Sequence, residues 1–167
     1  MIQQYGCNCN INVYNKIMAK LKLTTDETNA WMGLIKAQQY LTDKVEEELK
    51  KNGLPPYSWY DILLELDKAP DGSLRLNDLG KKVLLNKYNV TRLIDRLEKE
   101  KLVSRDACPV DGRGKVACIT SKGRMLRQKM WPIYYNVIKE HFLSNFSTGQ
   151  LSQFIECVDR INSKFKN

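Results

Sequence analysis

Between Leu74 and Gly123 the apolar periodicity changes twice, and few folds accommodate such a change in so short a stretch. Leu74-Arg-Leu-Asn-Asp-Leu-Gly80 is short and mixed. From Asn86 the spacing becomes helical. Val90, Leu93, Ile94 and Leu97 fall at i, i+3, i+4 and i+7, one apolar stripe on a helix predicted over about Lys87 to Lys101. The pattern then shortens to strands, Leu102 to Asp106 and Lys115 to Thr120, with Pro109 and the turn-prone Asp111-Gly112 between them. Leu74 and Leu76 offer a very short third strand, and Asn77 a cap for a short helix from Asp78 to about Val83. Two helices and a hairpin in that order make a winged helix-turn-helix lobe, predicted over residues 55–120.

Charge follows the same boundary. The chain carries 27 Lys+Arg against 19 Asp+Glu, a net +8. Residues 71–130 hold 15 of the basic and 7 of the acidic side chains, and the remainder holds 12 of each. All the excess is therefore on this lobe and the turns just beyond it. Segregation of this kind is the electrostatic footprint of a polyanionic partner. The longer helix turns Tyr88, Thr91, Arg92 and Asp95 away from its apolar stripe, with Asn89 and Arg96 at the flanks. Such a surface offers donors to base edges in a major groove. Asn89, Thr91 and Arg92, joined by Lys87 and Tyr88, are the candidate base readers, Arg92 foremost because its fork matches guanine O6 and N7. Arg96 serves DNA or pairs with a carboxylate such as Asp95 or Asp111. Lys115 and Arg105 are candidate phosphate contacts.

The flanks are helical. Asp26 or Thr28 caps a helix running to about Lys51, with Asn52-Gly53 as its stop. Pro55-Pro56 opens a second helix through Trp59, Ile62, Leu63 and Leu66, and Pro70-Asp71-Gly72 is a turn. Ser121 starts a long helix to about Asn145, bent at Pro132. Ser147 or Thr148 caps a last one with Leu151, Phe154, Ile155, Val158, Ile161 and Phe165 on one face. The fold class is mainly α with a small β-sheet. Residues 26–54 and 121–167 carry more apolar surface than one small lobe can cover, which makes them a dimerisation region and the molecule a two-fold homodimer. Residues 1–25 form an N-terminal extension, predicted to be poorly ordered.

Other classes are excluded or disfavoured. No apolar run approaches the roughly 20 residues that span a bilayer, and Met1 to Asn10 lacks a signal-peptide pattern, so a cytoplasmic protein is expected. Five cysteines (Cys7, Cys9, Cys108, Cys118, Cys157) include no C-x2-C pair and read as reduced thiols, with no metal and no cofactor implied. No phosphate-cradling loop and no nucleophile–base signature supports an enzyme. A winged-helix module for protein–protein or non-specific nucleic-acid binding remains an alternative. So does a thiol-based redox-sensing regulator working through Cys108 and Cys118.

From about Ala30 to Ile161 the chain resembles the MarR family of bacterial transcription regulators. Leu54-Pro-Pro-Tyr-Ser-Trp-Tyr-Asp-Ile-Leu-Leu, the Asn86 to Glu98 helix, and Asp111-x-Arg113 followed by Ile119-Thr120 and Gly123 carry the resemblance. It implies a homodimer with interdigitated terminal helices above two winged lobes, bound to a palindromic operator in double-stranded DNA. It makes Arg113 the minor-groove residue, with Asp111 orienting a nearby arginine. It implies a small aromatic anion as effector, with Trp31, Asp61 and Arg105 as candidate ligands, and points to a repressor. Lys87 and Tyr88 stand where the family often has Ser or Arg, and Gly112 and Gly114 flank Arg113.

Overall fold

The structure, a computed structural model, describes residues 21–83, 87–107 and 115–164. Its helices are α1 (Thr25–Lys51), α2 (Tyr57–Lys68), α3 (Leu76–Lys82), α4 (Lys87–Lys99), α5 (Ser121–Val137) and α6 (Thr148–Ser163). Its strands are β1 (Ser73–Arg75), β2 (Val103–Ala107) and β3 (Lys115–Ile119). The sheet is antiparallel in the order β1-β3-β2, with Ser73 opposite Cys118 and Arg105 opposite Ala117. The chain divides into two units, Met1–Tyr40 and Leu41–Asn167, with the boundary inside α1.

In the larger unit one core belongs to the lobe. Ile62, Leu63 and Leu66 of α2, Leu79 of α3, the α4 stripe and Leu102, Val103, Ala117 and Ile119 pack together, nearly all of them at or close to zero exposure. Burying an aliphatic side chain stabilises by roughly 1.5–3 kcal/mol, so this cluster orders the lobe. A second core joins Val45 and Leu49 of α1, Tyr60 of α2, and Met130 and Val137 of α5. Tyr57 and Tyr134 flank it with their hydroxyls 3.4 Å apart. Burial, then that contact, pushes the Tyr57 phenol well above the usual tyrosine range. Glu46 Oε1 accepts from the Tyr57 backbone N–H at 3.1 Å and caps α2 from α1, because Pro56 has no side chain to do it.

The caps correct several sequence expectations. Thr24, not Asp26 or Thr28, starts α1: its Oγ1 accepts from Glu27 N at 3.1 Å while Glu27 Oε2 accepts from Thr24 N at 2.7 Å. That reciprocal pair is a capping box, which satisfies two orphan donors at once. Asn77 does not cap α3, since β1 passes directly into the helix at Leu76 with Arg75 in the cap position. Strand pairing ends at Arg75, and so Leu76 opens the helix. Helix α5 runs through Pro132 to Val137, and the α pattern gives way only after it, to a π turn (Ile138–Phe142) and a 3-10 turn (Leu143–Asn145). The expected end near Asn145 holds for the helical path as a whole. Phe142, Phe146 and Phe154 then meet edge-on or tilted, with ring centroids 5.1 to 5.7 Å apart, and tie α6 to it. Ser147 forms a second capping box with Gln150.

Helix α4 ends at Lys99 rather than Lys101 through a Schellman turn. Leu102 N donates to Leu97 O at 2.9 Å and Lys101 N to Glu98 O at 2.9 Å, which puts Lys101 in the left-handed region at φ 59°. Helix α1 stops the same way at Gly53, φ 64°, where the residue type suits the geometry. A lysine in that conformation carries a steric penalty that glycine avoids. Lys101→Gly is therefore expected to raise unfolding stability by about 1 kcal/mol, read as a higher urea midpoint with an unchanged slope. A lower midpoint would show that the lysine side chain contributes more than its backbone costs.

Candidate nucleic-acid interface

The lobe core decides which way α4 faces. Val90, Leu93, Ile94 and Leu97 are buried, and the same helix leaves Thr91, Arg92, Arg96 and Lys99 exposed. Among the described residues Arg92 and Arg96 make no ion pair, so both guanidiniums face outward without a counter-charge. Lys87, Tyr88 and Asn89 belong to the first turn of α4, and their side chains lie outside the described residues, as does Lys115's, although its backbone pairs with Ala107. Arg113 and Asp111 also lie outside the described residues.

Arg105 is the exception to an outward-facing basic set. Projecting from β2, it pairs through Nη2 with Asp95 Oδ1 and donates to the Thr91 carbonyl at 3.3 Å. Its Nη1 lies 3.4 Å from Glu98 Oε2, and its side chain keeps 19% of its exposure. Asp95 and Glu98 are the only carboxylates on α4. One arginine therefore fixes the hairpin strand to the helix and holds both carboxylates, offsetting one of the two negative charges that would repel phosphate. The sequence reading assigned Arg105 to phosphate and to an effector and did not anticipate this brace. The i, i+3 spacing of Asp95 and Glu98 was the available signal.

The joint between hairpin and α5 is a single residue, Thr120. Its Oγ1 accepts from Gly123 N at 3.1 Å, capping α5, and donates to Lys101 O at 2.8 Å. Its own N–H reaches Leu102 O at 3.1 Å. A Cβ at Gly123 would stand 2.2 Å from that carbonyl, which explains the glycine after Ile119-Thr120. Sequence similarity agrees with this geometry. The family model described as MarR family matches residues 52–114. PrsX, an HTH-type transcriptional regulator of Escherichia coli, is 30% identical over 75% of this chain and 74% of its own length. This chain belongs to the MarR family. MhqR, an HTH-type regulator of Bacillus subtilis, is 28% identical over 86% of this chain and 97% of its own. The crystal structure of Sco3205, a MarR family regulator of Streptomyces coelicolor in complex with DNA, superposes with a TM-score of 0.81 at 24% identity, covering 87% and 91% of the two chains.

As a MarR-family member the protein is a DNA-binding transcription regulator and not an enzyme. The three residues suggested for an effector stand in different circumstances. Trp31 is 59% exposed on α1, Asp61 is buried at 6% within α2, and Arg105 is held by α4. Opposite Cys118 on its two neighbouring strands stand Ser73 and Ser104, so neither strand offers it a thiol partner. Cys157 is exposed on α6, and Cys7, Cys9 and Cys108 lie outside the described residues. No described helix is long and apolar enough to cross a membrane.

Arg105→Gln should weaken DNA binding about tenfold, because α4 loses its brace and regains two carboxylates facing phosphate. Adding Asp95→Asn and Glu98→Gln should recover part of that loss in an anisotropy titration. No recovery, together with a shallower salt dependence by about one phosphate contact, would return Arg105 to the phosphate-binding set.

Proposed function

We propose that this regulator is a homodimeric, sequence-specific repressor that lays one α4 per subunit into successive major grooves of a palindromic operator. The outward face of α4, with Asp95 and Glu98 both held by Arg105 and with Arg92 and Arg96 exposed and making no ion pair among the described residues, is the observation that carries it. Arg92 is assigned to a guanine, Thr91 and Asn89 to neighbouring bases, and Lys87, Tyr88, Arg96 and Lys115 to bases or backbone beside them. Arg113 is assigned to the flanking minor groove, where a narrow A·T tract concentrates negative potential. Arg105 acts as the brace. A cytoplasmic location follows from the DNA target.

The dimer is supported by apolar surface left exposed among the described residues. Helix α6 has no buried residue, and Ile155 and Ile161 are each 50% exposed. Trp131 and Tyr135 on α5 and Trp31, Leu34 and Ile35 on α1 are also exposed. The dimerisation region is therefore assigned to 26–54 and 121–167 and the DNA-binding lobe to 55–120. A ligand response is the second element. A small aromatic anion is the effector class proposed, with Trp31, exposed on α1, as a stacking surface.

Selection from a randomised duplex library by the full-length protein should return an inverted repeat with half-sites about one helical turn apart. Arg92→Ala should cost about 1–3 kcal/mol on that duplex and relax preference at one base pair per half-site. Recovery of no motif, or equal affinity for selected and unselected duplexes, would favour a non-specific nucleic-acid module instead.

A further inference from the structure

We propose that Asp67 is a positioning residue for DNA binding, setting the direction in which the hairpin leaves the body of the lobe. It lies near the end of α2, with its side chain 16% exposed, and both of its carboxylate oxygens are used. Oδ1 takes Arg124 Nη1, and Oδ2 lies 2.6 Å from Arg127 Nε. Arg124 and Arg127 sit at i, i+3 on the first two turns of α5, so one carboxylate holds the start of α5 against the end of α2.

The contact continues to the hairpin. The Arg124 guanidinium lies so close over Gly72 that a Cβ there would be 2.4 Å from Nη2. Gly72 also needs its φ of +71° to close the Pro70-Asp71-Gly72 turn. The carbonyl of Gly72 accepts from Ile119 N at 2.9 Å, at the last residue of β3. Thr120, next along, is bonded to Lys101 and Leu102 on the opposite side. The root of β3 is thus gripped from two directions, by the α4–β2 corner and by the Asp67–Arg124–Gly72 latch. A strand rises roughly 3.4 Å per residue, so a tilt of about ten degrees at this root moves the far end of β3 by about 2 Å. That displacement is enough to break a hydrogen bond to DNA.

Asp67 touches no nucleic acid in this account; it acts through the hairpin, and so the proposal rests on the reading that Arg113 contacts DNA. The test is a double-mutant cycle on the full-length chain, with the highest-affinity duplex from the library selection as probe. Asp67→Asn is expected to weaken binding about tenfold, and adding Arg113→Ala to it should cost much less than Arg113→Ala costs alone. A purely structural Asp67 would shift the melting temperature and leave the two fold-changes multiplicative. Multiplicative losses, or wild-type affinity for Asp67→Asn, overturn the latch and leave the hairpin reading intact. Arg113→Ala without effect overturns the hairpin reading, and the latch with it. Should Asp67→Asn fail to fold, Arg124→Gln, on a side chain 42% exposed, supports the same cycle with the same outcomes.

Discussion

The apolar stripe of α4 can be buried in only one orientation, and most of what the protein does follows from that constraint. Val90, Leu93, Ile94 and Leu97 fill a core shared with α2, α3 and the sheet. Because a helix has two sides, satisfying that core leaves Thr91, Arg92 and Arg96 in solvent. Rotating the helix to hide the arginines would expose aliphatic side chains and bury unpaired charge, both unfavourable by several kcal/mol. Hydrophobic packing inside the lobe therefore determines which α4 residues are left outward, available to a nucleic acid.

Packing alone leaves the hairpin free to tilt against this helix, and arginine–carboxylate contacts remove that freedom. Arg105 joins β2 to α4, while Arg124 and Arg127 join α5 to α2 through Asp67. Each is partly shielded from water, so each holds geometry better than an exposed pair would. Three arginines and three carboxylates are consequently spent on shape, and the positive charge that remains outward is the part available to phosphate. Total net charge overstates the binding surface. Its sign and its position on the chain do not.

Much of this was legible in the residues. Period-3.6 spacing placed α4, short apolar runs placed β2 and β3, and Gly53, Gly72, Pro55-Pro56 and Pro70 marked the breaks, whereas Pro132 did not break α5. The excess charge falls on the winged-helix lobe and the start of α5. Contacts between residues far apart in sequence were not legible. Nothing local in Arg105 distinguishes a phosphate contact from a brace ten residues away, and nothing in Asp67 announces arginines 57 and 60 positions later. Helix ends failed for a subtler reason: Thr24 and Glu27 carry the capping-box signature, but Asp26 and Thr28 are equally good caps in isolation. Lys101 shows the converse, a residue with no left-handed preference placed there because Leu97 and Leu102 close the turn.

The central claim is that α4 enters a major groove once per subunit, and chemical interference on the selected duplex tests it directly. Methylation at guanine N7 blocks the major groove, whereas methylation at adenine N3 blocks the minor groove. The account predicts N7 interference in two blocks separated by about one helical turn, with N3 interference outside them. Interference confined to adenine N3, or a single block of either kind, would contradict it.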